Sequence, residues 1–313
     1  MRISSFFLLF LLLLSCRYDE DFNFVPKTKG AYFLMDNYGQ RELRLYVPEG
    51  NMFLNDWGAA KGLNNPSDIA GAGEVLWIGL SEQNGLARFN LKNETLDNFS
   101  LGDFTPHFLC IGENYLMMSD TLSNRLGFFH LKREELTTVN LDQKPGKATY
   151  RSTKFYLILG EKDLAIYNEQ ALAAIEILNF DLEIFDVLVD NRFSTWVYTR
   201  DTANYRTTVS WNSNAIDLPS RKVPESKARH SPYLQPSFDK EFTGLVAISA
   251  GNLLNFPNPA ADDFEADFFE GKAYYVANDS LRLLELSDSQ TRVLGPYPGI
   301  FLNSFFYLAA DEN

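Results

Sequence analysis

Apolar residues along this chain fall into short runs broken by turn-forming residues, and one stretch is written twice. Laid over each other at an offset of 40 residues, Pro66 meets Pro106, Leu76 meets Leu116, Asn84 meets Asn124, Leu86 meets Leu126, Phe89 meets Phe129, Leu96 meets Leu136 and Leu101 meets Leu141. No gap is needed. Runs this short suit strands rather than helices, and a period of about 40 residues marks small sheets that bury their faces only by stacking on neighbours.

The pattern extends in both directions. Tyr32 to Met35 and Leu43 to Val47, joined through Asp36-Asn37-Tyr38-Gly39-Gln40, predict a hairpin. In the repeated units the first strand follows the proline and is expected to lie innermost. Glu169 to Leu178 contains good helix formers, yet Ile175 to Leu178 occupies an outer-strand slot, so a turn and a strand are expected there. Pro219 to Lys240 carries four prolines and reads as a loop insertion ahead of a blurred sixth unit. Gly299 to Leu308 reads as an inner strand with nothing after it, while the first unit lacks one before Tyr32. Joining the two would remove an exposed edge. The expected fold is therefore all-β: a seven-bladed β-propeller of four-stranded antiparallel blades, closed by the C-terminal strand joining the first blade. Six or eight blades remain alternatives because the sixth unit is degenerate.

Composition narrows the function classes. A formal charge of −13 makes nucleic acid a poor partner, since phosphate binding needs clustered Lys and Arg. Hydrophobic residues at 45% supply a sizeable core, and 26 Phe with 15 Tyr favour strands. His107, His130 and His230 are the only histidines, with no metal-ligand spacing among them, so neither a metal nor a cofactor is expected. The acidic run Asp262 to Asp267 lacks the order of a calcium loop and reads as a solvated loop. Cys110 sits in an apolar run and reads as a buried small hydrophobe.

The N-terminus supplies an address. Met1 to Cys16 has a basic start, an apolar run from Phe6 to Leu14 too short to span a bilayer, and the ending Leu13-Leu14-Ser15-Cys16. That ending resembles the bacterial lipobox, which implies lipid attachment at Cys16 and membrane anchoring. Residues 17–29 form an acidic tether, and Asp19-Glu20-Asp21 resembles the signal that sends lipoproteins of Bacteroidota-type bacteria to the cell surface. The periplasmic face of the outer membrane is the alternative. Residues 30–313 are then one propeller domain.

The repeat form, with Phe89-Asn90-Leu91 and Phe129-His130-Leu131, the former followed by Thr95-Leu96 and then Phe99 and Leu101, resembles surface-layer or YVTN-type seven-bladed propellers. The opening Tyr32-Phe33-Leu34-Met35-Asp36-Asn37-Tyr38-Gly39 after a tether is similar to propeller lipoproteins of Bacteroidota-type bacteria. The resemblance implies a binding or accessory protein, possible partners being an outer-membrane transporter of TonB-dependent uptake, a small molecule or a glycan, and it implies no fixed catalytic set; a monomer is expected. The alternative function is a propeller hydrolase, lactonase or glycan lyase with channel-lining acids or a metal. Candidate binding residues are Tyr38, Trp57 and Tyr233, loop aromatics able to stack on a ligand, and His107, at the start of an inner strand.

Overall fold

The computed structural model of the protein describes residues 28–189, 194–201, 203–204, 206–211, 214–218, 234–238, 243–249, 252–256, 263–267, 272–285, 290–296 and 300–308. The leader, Cys16 and residues 17–27 of the tether lie outside the described residues, as do His230 and Tyr233, whereas Thr28 and Lys29, expected in the tether, already belong to the first strand.

The chain is all-β, built of antiparallel sheets whose strands follow one another in sequence, in a propeller-like arrangement. The first sheet contains β1 (Thr28–Asn37), β2 (Gln40–Val47) and β3 (Met52–Leu54). A short helix, α1 (Trp57–Ala60), leads to the second sheet, β4 (Ile69–Ala72), β5 (Val75–Leu80), β6 (Gly85–Asn90) and β7 (Thr95–Ser100). The third holds β8 (Phe108–Ile111), β9 (Tyr115–Asp120), β10 (Arg125–His130) and β11 (Leu136–Asn140). The fourth holds β12 (Pro145–Arg151), β13 (Lys154–Leu159), β14 (Asp163–Asn168) and β15 (Ala173–Asn179). Two further four-stranded sheets begin at Glu183–Val189 and Asp263–Asp267, and a three-stranded one begins at Leu234–Phe238. The last strand, Ile300–Leu308, pairs antiparallel with β1 and lies on the side of β1 opposite β2.

Both faces of the middle strands are covered, which is why they read as unbroken apolar runs instead of alternating ones. Along β1, Phe33 and Met35 pack toward Tyr274 and Val276 of the last four-stranded sheet, while Tyr32 and Leu34 pack toward Ile69, Leu76 and Ile78 of the second. The third sheet behaves alike: Leu116 and Met118 of β9 join the second sheet's Trp77 and Leu86, and Met117 joins the fourth sheet's Phe155 and Leu157. The core is thus a succession of inter-sheet layers. Each fully buried Phe or Leu in them contributes roughly 1.5–3 kcal/mol through its removal from water.

Polar bonds repeat with the same period. Ser67 Oγ donates to the Pro106 carbonyl at 2.5 Å, and Ser119 Oγ donates to the Gly146 carbonyl at 2.7 Å. The two acceptors are one period apart, but the donors are not. Gly79 occupies the slot that corresponds to Ser119, and a Cβ there would lie 2.5 Å from Ser67 Oγ. The glycine makes room for a donor arriving from the neighbouring strand. Buried Asp68 ties three sheets together: it accepts from Asn303 Nδ2 at 2.5 Å on the last strand and from the Leu109 N–H at 2.9 Å on β8.

Several sequence expectations change. Leu234–Phe238, expected inside a loop, is a strand; it lies at the edge of its sheet, where Pro236 removes no ladder bond that a central strand would need. The rest of the 219–240 insertion lies outside the described residues, apart from that strand. Asp263–Asp267, expected as a solvated loop, is likewise an edge strand, pairing with Lys272–Ala277. Residues 173–179 are a strand, as the outer-slot reading had it.

Candidate functional site

The site begins with a turn. β1 and β2 are joined by Tyr38 and Gly39, with φ of 52° and 88°, so both central residues are left-handed as in a type I′ hairpin. Asp36 Oδ1 accepts the Gly39 N–H at 2.7 Å and fixes the turn. The last four-stranded sheet closes the same two-residue turn with Asn278 and Asp279, at φ of 50° and 52°. Asn84 and Asn124 take the left-handed position at the corresponding turns of the second and third sheets. Asparagine takes this conformation at little cost, whereas it costs a larger side chain more. Tyr38 therefore stands where its counterparts are Asn, and its side chain is 88% exposed.

Beside this turn the repeat is interrupted. The connection from β7 to β8 takes residues 101–107, that from β11 to β12 residues 141–144, and that from β15 to the next strand residues 180–182. The connection from β3 to β4 takes residues 55–68 and includes α1. α1 is held down by Trp57, whose ring meets Tyr32 and Phe89 edge-on at centroid distances of 5.0 and 5.1 Å. Gly58 permits the close approach, since a Cβ there would lie 2.9 Å from the Leu43 carbonyl oxygen.

Between this strap and the start of β2 lies a cleft of about 740 Å³, within the size range of small-molecule sites. One wall is Gly39 to Arg44; the other is Asn55, Asp56, Ala59 and Leu63 to Asn65; Glu82 enters from the β5–β6 turn. Its polar groups are held in place. Arg44, almost fully buried, donates through Nε at 3.0 Å and Nη2 at 2.5 Å to Glu42 Oε2, and through Nη1 at 3.1 Å to Asn55 Oδ1. The Arg41 N–H reaches Asn65 Oδ1 at 3.0 Å, its Nη1 reaches the Ser67 carbonyl at 2.8 Å, and Asn65 Nδ2 donates to Glu82 Oε1 at 2.5 Å. The arrangement is a rigid, mixed-charge polar surface beside an exposed aromatic ring.

His107 is linked to the cleft through two hydrogen bonds. Arg41 is bonded to Ser67, Ser67 to Pro106, and His107 follows in sequence. The half-buried ring accepts the Thr121 N–H at Nδ1, 3.2 Å away, and burial holds its pKa below the ordinary histidine value. Next to it, Asp120 is buried, which opposes ionisation. Hydrogen bonds from Ser123, Arg125 and the Thr105 and Ser123 N–H groups outweigh that effect and hold its carboxyl below the usual range. His107 and Asp120 order the inner loops; neither lines the cleft.

Of the candidate residues read from sequence, Tyr38 directly precedes the cleft-lining Gly39, and His107 is linked to Arg41 through Ser67 and Pro106. Trp57 does not present a ring to solvent: only 8% exposed, it anchors the strap from below. Tyr233 and Cys16 lie outside the described residues. His130 ends β10, where Nδ1 accepts the Lys132 and Arg133 N–H groups at 3.2 and 3.3 Å. Cys110 is a buried thiol, as its apolar run implies. Among the described residues no three His, Cys, Asp or Glu side chains come together as a metal-binding group. Sequence reading missed Arg41, Arg44, Asn55, Asn65 and Glu82, which come from three separate segments. Comparison with known proteins finds no matching family model and no similar curated protein.

Proposed function

We propose that the protein is a lipid-anchored, surface-exposed outer-membrane propeller that binds a ligand or protein partner through the loops of one face. It would act as an accessory to a transporter of the TonB-dependent kind. In this reading the antiparallel sheets are seven blades, and the pairing of Ile300–Leu308 with β1 closes the ring. The architecture is supported by the first strands of neighbouring sheets lying against one another, β4 against β8, β8 against β12 and Ile300–Leu308 against β4. The address rests on the Leu13-Leu14-Ser15-Cys16 ending and the acidic tether.

The observation that carries the binding role is the cleft itself. It occurs where the 55–68 connection departs from the repeat, and its polar side chains are fixed by one another before any ligand arrives. Preorganised loops on a rigid scaffold are how such folds acquire specificity. The buried acids Asp68 and Asp120 are engaged in bonds between and within sheets, so they serve the scaffold.

Purification of the native membrane complex from cells carrying the full-length chain tests the reading. A component that accompanies the wild type and is lost with Tyr38→Ala is expected. Wild type and variant that both purify alone, with no small molecule retained by either, would contradict it.

A further inference from the structure

We infer that the cleft beside Tyr38 is a site for neutral carbohydrate, an assignment that rests on the face-binding reading and names its ligand class. Two features select the chemistry. The first is charge balance. Arg41 and Arg44 face Glu42, Asp56 and Glu82 within one cleft, so an anionic ligand meets three carboxylates and a cationic one meets two guanidinium groups. A neutral ligand meets neither penalty.

The second is the pairing of donors with acceptors. Among the described residues, Glu42 Oε1, Glu82 Oε2 and Asn55 Nδ2 remain without hydrogen-bond partners, while their sister atoms are fixed by Arg44 and Asn65. Each sugar hydroxyl both donates and accepts, so adjacent hydroxyls can satisfy a carboxylate oxygen and an amide N–H side by side. The pyranose ring also carries an apolar C–H face, and Tyr38, exposed and directly preceding the cleft-lining Gly39, offers a flat surface of the kind such a face packs on.

Tyr38 takes the left-handed region at a position held by Asn in the matching turn, a conformation that Glu94, Thr153 and Leu172 also take elsewhere in the chain. Among the described residues, Leu122 in the β9–β10 turn and Ile175, Ile177 and Leu178 on the outer strand β15 are also exposed, but none of them lines the cleft.

Detergent-solubilised full-length protein applied to an array of neutral, sulfated, sialylated and amino-substituted oligosaccharides tests the assignment, with titration calorimetry on the strongest binder. Binding to neutral members is expected, weakened about tenfold or more by Tyr38→Asn and retained by Tyr38→Phe, which keeps the ring. Because Asn is at home in this turn, loss of binding by that variant is not a folding defect. Binding confined to charged members, binding indifferent to Tyr38, or no binding at all overturns the carbohydrate assignment. In those cases a protein partner captured from native membranes by the wild type and not by Tyr38→Asn would leave the face-binding reading standing, and its absence would remove both.

Discussion

Replacing Tyr38 by Asn is expected to make the protein more stable. The tyrosine occupies the left-handed region at φ 52°, which costs an ordinary L-residue roughly 1–2 kcal/mol, and Asn relieves part of that cost. The ring is 88% exposed, so its removal forfeits almost no burial. The hydrogen bond that fixes the turn, from the Gly39 N–H to Asp36, uses neither side chain nor backbone of Tyr38. A net gain of about 0.5–1 kcal/mol follows, or about 2 °C or less in Tm for a domain of this size. Thermal and urea unfolding of wild type, Tyr38→Asn and Tyr38→Ala measure it. Alanine keeps the strain and is expected to match the wild type. A midpoint raised as much by Ala as by Asn, or lowered by Asn, would refute the conformational argument.

Asp68→Ala should destabilise by roughly 1–3 kcal/mol in urea unfolding, because it leaves the buried Leu109 N–H without its acceptor, while the Asn303 amide keeps the Ile69 carbonyl. Trp57→Ala is expected to lose about 3–5 kcal/mol, through the cavity under α1, and to loosen the strap that walls the cleft. Stability measured against pH should fall in two steps on acidification. Burial depresses His107, so its contribution is complete above the ordinary value of 6.5 and is lost as pH drops through the native value; His107→Gln removes that step. Asp120, also depressed, contributes above 3.8 and loses that contribution below it, so the gap between wild type and Asp120→Asn should close at low pH. In cells, Cys16→Ala should abolish labelling by an alkyne fatty acid; labelling that persists would remove the lipid anchor from the account.

The strands were legible because their burial is two-sided. Tyr32 to Met35 and Leu76 to Ile78 pack on sheets at both faces and so appear as unbroken apolar runs. Edge strands were harder. Leu234–Phe238 and Asp263–Asp267 carry Pro or acids, which an edge tolerates and a loop also contains. The turn aromatic Tyr38 could be singled out, but its counterpart Trp57 could not be told from an exposed ring, because what buries it is contact with Tyr32 and Phe89. The cleft was invisible as a motif, being assembled from residues 39–44, 55–65 and 82. Its one signal was the length of chain between Leu54 and Ile69, twice that of the next connection: 14 residues (55–68) against 7 (101–107).

Hydrogen–deuterium exchange on the full-length protein, with and without the neutral oligosaccharide that binds most strongly, addresses the central claim most directly. Protection is predicted in residues 38–44, 55–65 and 81–84 and not along β7, β11 or β15. Protection confined to those outer strands, or no change in the three segments at saturating ligand, would contradict a binding site built from the turn, the strap and Glu82.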